Sequence, residues 1–355
     1  MKRVILYILT ILIVIAFAVF VGYLYIEKLG TTVTNEQEPN IIQTNENQEI
    51  VTKQVEIFKG TDRPIAIMID NHKSAMPHAG LSKAYMIYEI IVEGGETRLM
   101  ALFKGKDVDK IGPVRSARHY FIDFALENDA IYTHYGWSPQ AESDIKSMKI
   151  NNINGISEKT SDFWRVKEKA APHNVLTSTS KIYEIAKNKK YRTTSDVNSV
   201  LNYVVDEVNL EDLYKTEESE ETESNVKNAN EIKISYSQSN NVRWTYDEGN
   251  KNYIRYSKNI KETEWFEKND VTSKNIIIEF IKNQTIDEKD RQTMNTTGTK
   301  NGYYITNGKY IPILCSKSSR TSKTVYKDTN GNEIKVNDGN TFIQICKEEK
   351  NVEIN

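Results

Sequence analysis

The chain has 355 residues, which is long for one ordinary domain and suits two. Its 47 basic and 49 acidic residues leave a formal net charge of -2. General nucleic-acid binding requires a basic surface, so this balance excludes that class and we expect no nucleic-acid partner.

Residues 4–25 form an apolar run that is broken only by Thr10 and Gly22. As a helix with a rise of about 1.5 Å per residue, the run would cross a hydrocarbon core roughly 30 Å thick. Basic residues precede it, so we predict a transmembrane anchor within residues 1–28, with the N-terminus inside and the bulk of the chain extracytoplasmic. The alternative is a cleaved signal peptide with its cleavage site at Ala16-Phe-Ala18. The apolar run continues past that point, which favours the uncleaved anchor at the cell membrane.

Residues 29–60 are rich in Thr, Asn, Gln and Glu and lack apolar periodicity. A segment of this composition cannot bury enough apolar surface to offset the entropy of the chain. We interpret it as a flexible stalk.

Residues 61–205 alternate between strand and helix patterns, which is typical of an α/β domain. Apolar runs predict strands at 64–69, 86–92, 99–103 and 130–135. A helix is predicted to begin at Gly112-Pro113, because proline favours the first helical position and an apolar side follows. Two more helices are predicted, one from Ser138-Pro139 to about residue 148 and one capped by Ser178 or Thr179 and ending near residue 189.

The acidic run in residues 206–230 is interpreted as a solvated linker. A calcium site is the alternative, but the run lacks the spaced ligands and the glycine of an EF-hand loop.

Residues 231–348 show alternating apolar positions separated by Asn-Gly and Asp-Gly turns, which predicts a mainly β C-terminal domain before a tail at 349–355. Trp244 is expected to lie in the core of this domain.

Cys315 and Cys346 are the only cysteines in the chain. In an exported chain they could form a disulfide bond, and two buried thiols are the alternative. Two cysteines without nearby histidines do not form a zinc site. We predict no metal site and no cofactor.

The candidate site residues all lie between Arg63 and Asn174, a stretch that holds all five histidines. They are polar residues at predicted strand ends and loops: Asp70, His72, Glu93, Arg98, Arg115, Arg118, His119, His134, His173 and Asn174.

On the predicted helix, Arg115, Arg118 and His119 would share one face in the first turns. The helix dipole disfavours positive charge there by about 0.3–1 kcal/mol, so the cluster calls for a negative partner. One possibility is an anionic ligand such as phosphate, pyrophosphate or carboxylate. The other is structural, through the carboxylates Asp70, Glu89, Glu93 or Glu96.

Two further features leave alternatives open. Gly94-Gly95 could form a loop at a ligand site or only a tight connection between two strands. Asp70 and His72 resemble half of an acid–base pair, but for each histidine alone a hydrogen-bonded structural role is the favoured interpretation. The histidines also lack the HExxH spacing of a zinc enzyme.

Four strings resemble the YerB-like family of Gram-positive envelope lipoproteins, and so does the C-terminal half of the chain. The strings are RPIAIMIDNH at 63–72, IYEIIVEGGETR at 87–98, IGPVRSAR at 111–118 and APHN at 171–174. The resemblance implies an exported, membrane-tethered protein of two domains, and it supplies no catalytic residue. This chain has no cysteine near the end of the apolar segment, so the helix itself, not an attached lipid, is the expected anchor.

Three functions remain open from the sequence. The first is a non-enzymatic envelope protein that binds an anionic cell-wall component or an envelope protein through the α/β domain. The second is a hydrolase or phosphotransferase that acts on an anionic wall polymer or its lipid-linked precursor. The third is a structural interaction module whose charged strings pair internally.

Overall fold

The computed structural model describes residues 53–214 and 225–355. The predicted anchor, most of the stalk and the centre of the acidic run lie outside these ranges. Residues 55–355 form one compact unit. Across the described ranges, no helix combines the length and the apolar character needed to cross a membrane.

The N-terminal region mixes helices and strands, as predicted. Its elements are β1 (Ile65–Asp70), β2 (Met86–Ile91), β3 (Thr97–Phe103), α1 (His119–Glu127), β4 (Ile131–His134), α2 (Pro139–Ser147), β5 (Asn152–Asn154), β6 (Trp164–Arg165), β7 (Val175–Leu176), α3 (Thr179–Asn188), β8 (Tyr203–Val204) and α4 (Leu210–Leu213). Ser138 and Ser178 cap α2 and α3 through their side chains, which confirms two of the three predicted helix starts.

The C-terminal region is mostly β, which confirms the second half of the fold prediction. Its strands are β9 (Lys227–Asn228), β10 (Glu231–Ser235), β11 (Asn241–Asp247), β12 (Asn252–Ser257), β13 (Ile260–Lys261), β14 (Thr272–Ser273), β15 (Asn275–Phe280), β16 (Asn283–Thr285), β17 (Gln292–Met294), β18 (Gly298–Thr306), β19 (Lys309–Lys317), β20 (Val325–Asp328), β21 (Val336–Asn337), β22 (Thr341–Cys346) and β23 (Val352–Ile354).

One 11-stranded sheet takes strands from both regions, in the order β20-β19-β18-β15-β22-β2-β3-β1-β4-β5, with β9 added beside β19. The regions meet where β2 pairs in parallel with β22. Ile87 of β2 lies opposite Phe342 of β22. The domain boundaries given above remain a prediction, but hydrogen bonding in this sheet is continuous across them.

Alternate residues of the main sheet face two separate cores, as the period of a strand requires. Apolar residues of α1 and α2 cover one face. The other face is covered by α3 and by a second sheet of β13-β12-β11-β10-β23, with β14 beside β12. Trp244 of this second sheet is fully buried and packs edge-on against Phe342, with ring centroids 4.8 Å apart. Its predicted core position is confirmed.

The predicted helix start at Gly112-Pro113 is wrong, because α1 begins only at His119. The preceding segment is extended and bonds to neighbouring strands: Asp70 N–H donates to Pro113 O and Arg115 N–H donates to Met68 O, both at 2.8 Å. These backbone groups are therefore satisfied without a helix. Arg115 and Arg118 lie before the helix, and neither shares a helical face with His119.

The candidate disulfide bond is not formed: Cys315 and Cys346 are free and buried, which is the alternative that the sequence left open. Cys315 lies on β19 and Cys346 on β22, with β18 and β15 between them. Three strand spacings separate the two residues by roughly 14 Å, twice the Cα distance of about 7 Å that a disulfide tolerates. The two thiols also face opposite cores of the main sheet.

Candidate functional site

The strongest candidate site is a cavity of about 460 Å³ at the carboxyl ends of β1 and β2. Both strands run antiparallel to β3, so they end at the same edge of the sheet. This is the edge at which α/β sheets bind ligands. Seven of the ten predicted site residues line the cavity: Asp70, His72, Glu93, Arg98, Arg115, Arg118 and His173.

Asp70 ends β1 and is the best-connected carboxylate of the cavity. Its Oδ1 accepts a hydrogen bond from the backbone N–H of His72 at 3.1 Å, and its Oδ2 lies 2.7 Å from His173 Nδ1 and 3.2 Å from Arg115 Nε. Burial acts to raise the pKa of Asp70, but Arg115, the N–H of His72 and His173 outweigh it and hold the pKa below its ordinary value. Asp70 is therefore an ionised carboxylate at neutral pH.

Glu93 and Arg118 form an internal ion pair. Nε and Nη2 of Arg118 donate to the two oxygens of Glu93 at 2.5 and 2.7 Å, and Nη1 donates to Ala117 O at 2.7 Å. This two-pronged geometry is the strong form of an arginine–carboxylate pair. It leaves no nitrogen of the Arg118 guanidinium without a protein acceptor.

Arg98 is also committed to the protein. Its Nη1 donates to Ser116 O at 2.6 Å, and its Nη2 lies 3.8 Å from Glu93. Burial, with Arg118 close by, lowers the pKa of Arg98 to about 10, so it stays charged at neutral pH. Arg98 and Arg118 together neutralise Glu93 and brace the β2–β3 connection.

That connection turns on two glycines with positive φ, 64° at Gly94 and 73° at Gly95. A Cβ atom on Gly95 would approach Ser237 to 2.8 Å, so the position demands glycine. The Gly-Gly pair therefore makes a tight turn, and the same turn holds Glu93 at the cavity wall.

Arg115 differs from the other two arginines. Its Nε lies beside Asp70, but neither terminal nitrogen hydrogen-bonds to a residue in the described ranges. Its side chain is 26% exposed, compared with 12% for Arg118 and 9% for Arg98. Arg115 therefore presents a charged, unsatisfied end to the cavity.

His72 and His173 stack at the cavity wall, with ring centroids 4.6 Å apart and planes 18° apart. His72 Nδ1 accepts a hydrogen bond from the N–H of Ser74 at 3.1 Å. His173 Nδ1 faces the Asp70 carboxylate. Each ring is held from one nitrogen, and the other nitrogen has no hydrogen-bond partner among the described residues.

Three predicted residues lie outside the cavity. His119 begins α1, and its Nε2 lies 2.9 Å from Thr293 Oγ1. His134 is buried between Gly136 O and Asn152 Oδ1, and burial lowers its pKa to about 4. Asn174 accepts from Arg165 and donates to two backbone carbonyls, so it orders its own loop.

Family models match both regions of the chain. Residues 52–192 match "Protein of unknown function (DUF3048) N-terminal domain", and residues 232–343 match the corresponding C-terminal domain. The chain is 30% identical over 283 residues to the "Putative lipoprotein YerB" of Bacillus subtilis (strain 168), covering 78% of this chain and 76% of that protein. The chain belongs to the YerB-like family. The resemblance seen in the sequence motifs is confirmed.

The crystal structure of the Bacillus subtilis YerB protein has the same fold as this member of the YerB-like family. The TM-score is 0.71 at 28% identity, with 83% of this chain and 94% of that chain covered. This match supports the assignment of a mixed α/β N-terminal region followed by a mostly β C-terminal region.

Two cationic residues of this YerB-like chain were missed by the sequence reasoning. Lys289 and Arg291 come from the connection between β16 and β17 and reach the same cavity. Arg291 pairs with Asp287 at 3.3 Å, whereas the Lys289 ammonium has no acceptor among the described residues. In the sequence they stand in an ordinary charged, exposed turn, which carries no signal of a site.

A buried ion network lies behind the cavity. Arg255 of β12 is fully buried, donates to Glu89 of β2 at 2.7 Å and contacts Glu262. His78 lies between Glu262 and the backbone oxygen of Asp70. Glu89, which the sequence offered as a partner for the cavity arginines, instead pairs with an arginine of the C-terminal region.

The cavity is cationic overall. Five basic side chains line it against three carboxylates, and one of those, Glu96, is paired with Lys258. Within residues 53–214 and 225–355, no cluster of three or more His, Cys, Asp or Glu side chains suits a metal ion. The cavity places guanidinium and ammonium groups next to a histidine held by a carboxylate.

Proposed function

We propose that this chain binds a phosphate-bearing component of the cell envelope in the cavity at the ends of β1 and β2. The observation that carries the proposal is the Arg115 guanidinium, which lines the cavity and whose terminal nitrogens have no acceptor among the described residues. The Arg115 side chain is 26% exposed, and an anion in the cavity would give its terminal nitrogens charge-assisted hydrogen bonds.

The three arginines named in the sequence analysis divide between two roles. Arg98 and Arg118 belong to the internal pairing with Glu93, as the structural hypothesis required. Arg115, with Lys289 and Arg291, would contact the ligand. The binding hypothesis thus keeps only Arg115 of the three arginines that the sequence suggested, and it adds Lys289 and Arg291.

Several features favour a phosphate compound over a single carboxylate. The two unpaired cations, Arg115 before α1 and Lys289 in the β16–β17 connection, stand on separate elements around a cavity of about 460 Å³, which exceeds the needs of one carboxylate. A pyrophosphate or a run of phosphodiesters would offer anionic oxygens to each of them. Ser138 and Pro139 at the N-terminus of α2 line the same cavity, and a helix N-terminus favours negative charge nearby.

We place the protein outside the cell membrane, held by the apolar segment at residues 4–25. The relative's printed description as a lipoprotein supports an envelope location. In this chain both cysteines are buried in strands of the main sheet. The anchor would therefore be the apolar segment itself, acting as a single-pass helix.

A thermal-shift experiment tests the proposal. The full-length chain in detergent micelles would be heated with sodium pyrophosphate, with a polyglycerol phosphate chain, and with sodium sulfate as an anion control. A ligand at 100 times its dissociation constant stabilises a protein by roughly 2.7 kcal/mol. We expect stabilisation of wild type by the phosphate compounds, and loss of that stabilisation in Arg115→Ala. Lys187→Ala, which removes one charge outside the cavity, should behave as wild type.

Two outcomes would contradict the proposal. One is that none of the phosphate compounds shifts the melting temperature of wild type. The other is an equal shift in wild type and in a folded Arg115→Ala variant, which would place binding elsewhere.

A further inference from the structure

We propose that the cavity hydrolyses a phosphodiester, with His173 as the general base and Asp70 as the residue that positions it. This inference rests on the proposed function, because the substrate must first bind beside Arg115. It goes beyond binding, since it assigns a reaction to the site.

The tautomer of His173 follows from its partner. Its Nδ1 lies 2.7 Å from Asp70 Oδ2, and an ionised carboxylate can only accept, so Nδ1 carries the proton. In the neutral ring, Nε2 then holds a lone pair. That nitrogen has no hydrogen-bond partner in the described part of the chain, and the side chain lines the cavity at 17% exposure. This is the arrangement that a carboxylate-oriented general base requires.

The Asp70 carboxylate is fixed in turn. The N–H of His72 and the guanidinium of Arg115 hold it at 3.1 and 3.2 Å, at the end of a strand that is buried along its whole length. A carboxylate held from two sides keeps the imidazole in one orientation. Asp70 therefore acts through His173 and does not need to touch the substrate.

His72 has the opposite tautomer. Its Nδ1 accepts from the backbone N–H of Ser74 at 3.1 Å, so in the neutral ring the proton is on Nε2. The two stacked rings thus offer one acceptor and one donor side by side. His72 would donate to a non-bridging phosphoryl oxygen, next to the Arg115 guanidinium.

The other described histidines are arranged differently. Both ring nitrogens of His78 and of His134 face protein partners, and both residues are fully buried. His119 lies outside the cavity. Only His173 combines a carboxylate at one nitrogen with an unpartnered second nitrogen within residues 53–214 and 225–355.

The chemical step balances with water as the only co-reactant. His173 Nε2 takes a proton from water while the water oxygen bonds to phosphorus. The bond from phosphorus to the leaving alkoxide breaks, and the proton on His173 returns through solvent to that oxygen. The products are a phosphomonoester and an alcohol. A phosphodiester fits better than a carboxylic ester, because it stays anionic and so is held by the cationic wall.

The test uses the full-length chain in detergent micelles with two substrates, bis(p-nitrophenyl) phosphate and a polyglycerol phosphate chain. We expect wild type to release p-nitrophenolate or phosphomonoester ends. His173→Gln should lower kcat by at least about 100-fold, the usual contribution of a general base, and should still bind pyrophosphate within about three-fold of wild type. His119→Gln, a histidine variant outside the cavity, should match wild type.

Asp70→Asn separates positioning from binding. An amide would favour the wrong tautomer of His173, so kcat should fall while KM stays near the wild-type value. A purely structural role would instead lower the melting temperature and change both constants together.

Three results would overturn the inference. If wild type binds pyrophosphate but hydrolyses neither substrate, the reaction is absent and only the binding function stands. If His173→Gln hydrolyses as fast as wild type, His173 is not the base. Failure of wild type to bind pyrophosphate would instead remove the proposed function and this inference together.

Discussion

At the scale of single residues, partners decide what each charged side chain can do. Arg115 and Arg118 are three positions apart in the chain, yet Arg118 is fully paired with Glu93 and Arg115 is not. Residue type and spacing are visible in a sequence, whereas this division of partners is not. It appears only when the β2–β3 turn brings Glu93 to one guanidinium.

Glu279 provides a residue-scale prediction. It is 1% exposed, and its Oε2 has no hydrogen-bond partner among the described residues. Burial, with the nearby Glu127, raises its pKa to about 8. The folded protein therefore keeps a proton that the unfolded chain releases near its ordinary pKa of 4.5. The contribution of this proton to the free energy of unfolding should be fully present below pH 4.5 and should be lost as the pH rises toward 8.

Glu279→Gln should remove this loss, because glutamine resembles the protonated acid in shape. We expect urea unfolding at pH 8 to show the variant more stable than wild type by roughly 1–3 kcal/mol, with nearly equal stabilities at pH 5. A variant that is less stable than wild type at pH 8 would show that the carboxylate is ionised in the folded state.

The sequence could predict those site residues that stand at the ends of strands. Asp70 and Glu93 come directly after apolar runs, so their convergence at one sheet edge was accessible. Lys289 and Arg291 were not accessible, because they reach the cavity from a distant hairpin whose placement depends on the whole fold. The local sequence does not indicate a contact that depends on tertiary structure.

At the scale of elements, the wrongly predicted start of α1 also shows that local sequence does not indicate tertiary contacts. The Gly112-Pro113 pair and the apolar residues after it fit a helix by local rules. The segment is extended because its backbone groups bond to β1 and to residues 175–177. Gly112 has φ 146°, and a Cβ there would lie 2.6 Å from Val175 O, so close strand approach explains the glycine. Tertiary hydrogen bonds overrode the local preference.

The β16–β17 hairpin yields the element-scale prediction. Among the described strands it pairs with no other, and it brings Lys289 to the cavity. Lys289→Ala should weaken pyrophosphate binding roughly three- to ten-fold, or about 0.7–1.4 kcal/mol, without changing the melting temperature, because the ammonium has no protein acceptor in the described ranges. Isothermal titration calorimetry measures the affinity.

Lys282→Ala is the matched control for this hairpin, since Lys282 is exposed nearby but does not line the cavity. An equal loss of affinity in both variants would indicate a general charge effect. In that case Lys289 would not be a contact.

At the scale of the whole molecule, the two regions share one hydrogen-bonded sheet. β2 of the N-terminal region pairs with β22 of the C-terminal region, and the buried Arg255–Glu89 ion pair crosses the same junction. Both partners are fully buried, so separating the regions would leave Glu89 without its arginine, while Arg255 would keep only its contact with Glu262. Breaking a buried pair in this way is strongly destabilising, by about 3–5 kcal/mol.

We therefore expect residues 61–205 and 231–348 not to fold when they are expressed separately. Each fragment would expose an unpaired strand edge, and the fragment 61–205 would also contain the unpaired buried charge of Glu89. Near-ultraviolet circular dichroism and urea unfolding would show no cooperative transition for either piece. A sharp transition in the isolated fragment 61–205 would contradict this and would support independent domains.

The central claim is that Arg115 meets the ligand whereas the Glu93–Arg118 pair holds the site together. The most direct test measures the dissociation constant of pyrophosphate, by isothermal titration calorimetry, and the melting temperature of the same samples. The variants are Arg115→Ala and the double variant Glu93→Gln with Arg118→Met, which removes the pair but keeps the net charge of the cavity.

We predict that Arg115→Ala weakens binding at least about ten-fold, or 1.4 kcal/mol, and lowers the melting temperature less than the double variant does, because Asp70 keeps its contacts with the His72 N–H and with His173. The double variant should melt several degrees lower and bind within about three-fold of wild type. The opposite pattern, with affinity lost only in the double variant and stability lost only in Arg115→Ala, would contradict the account.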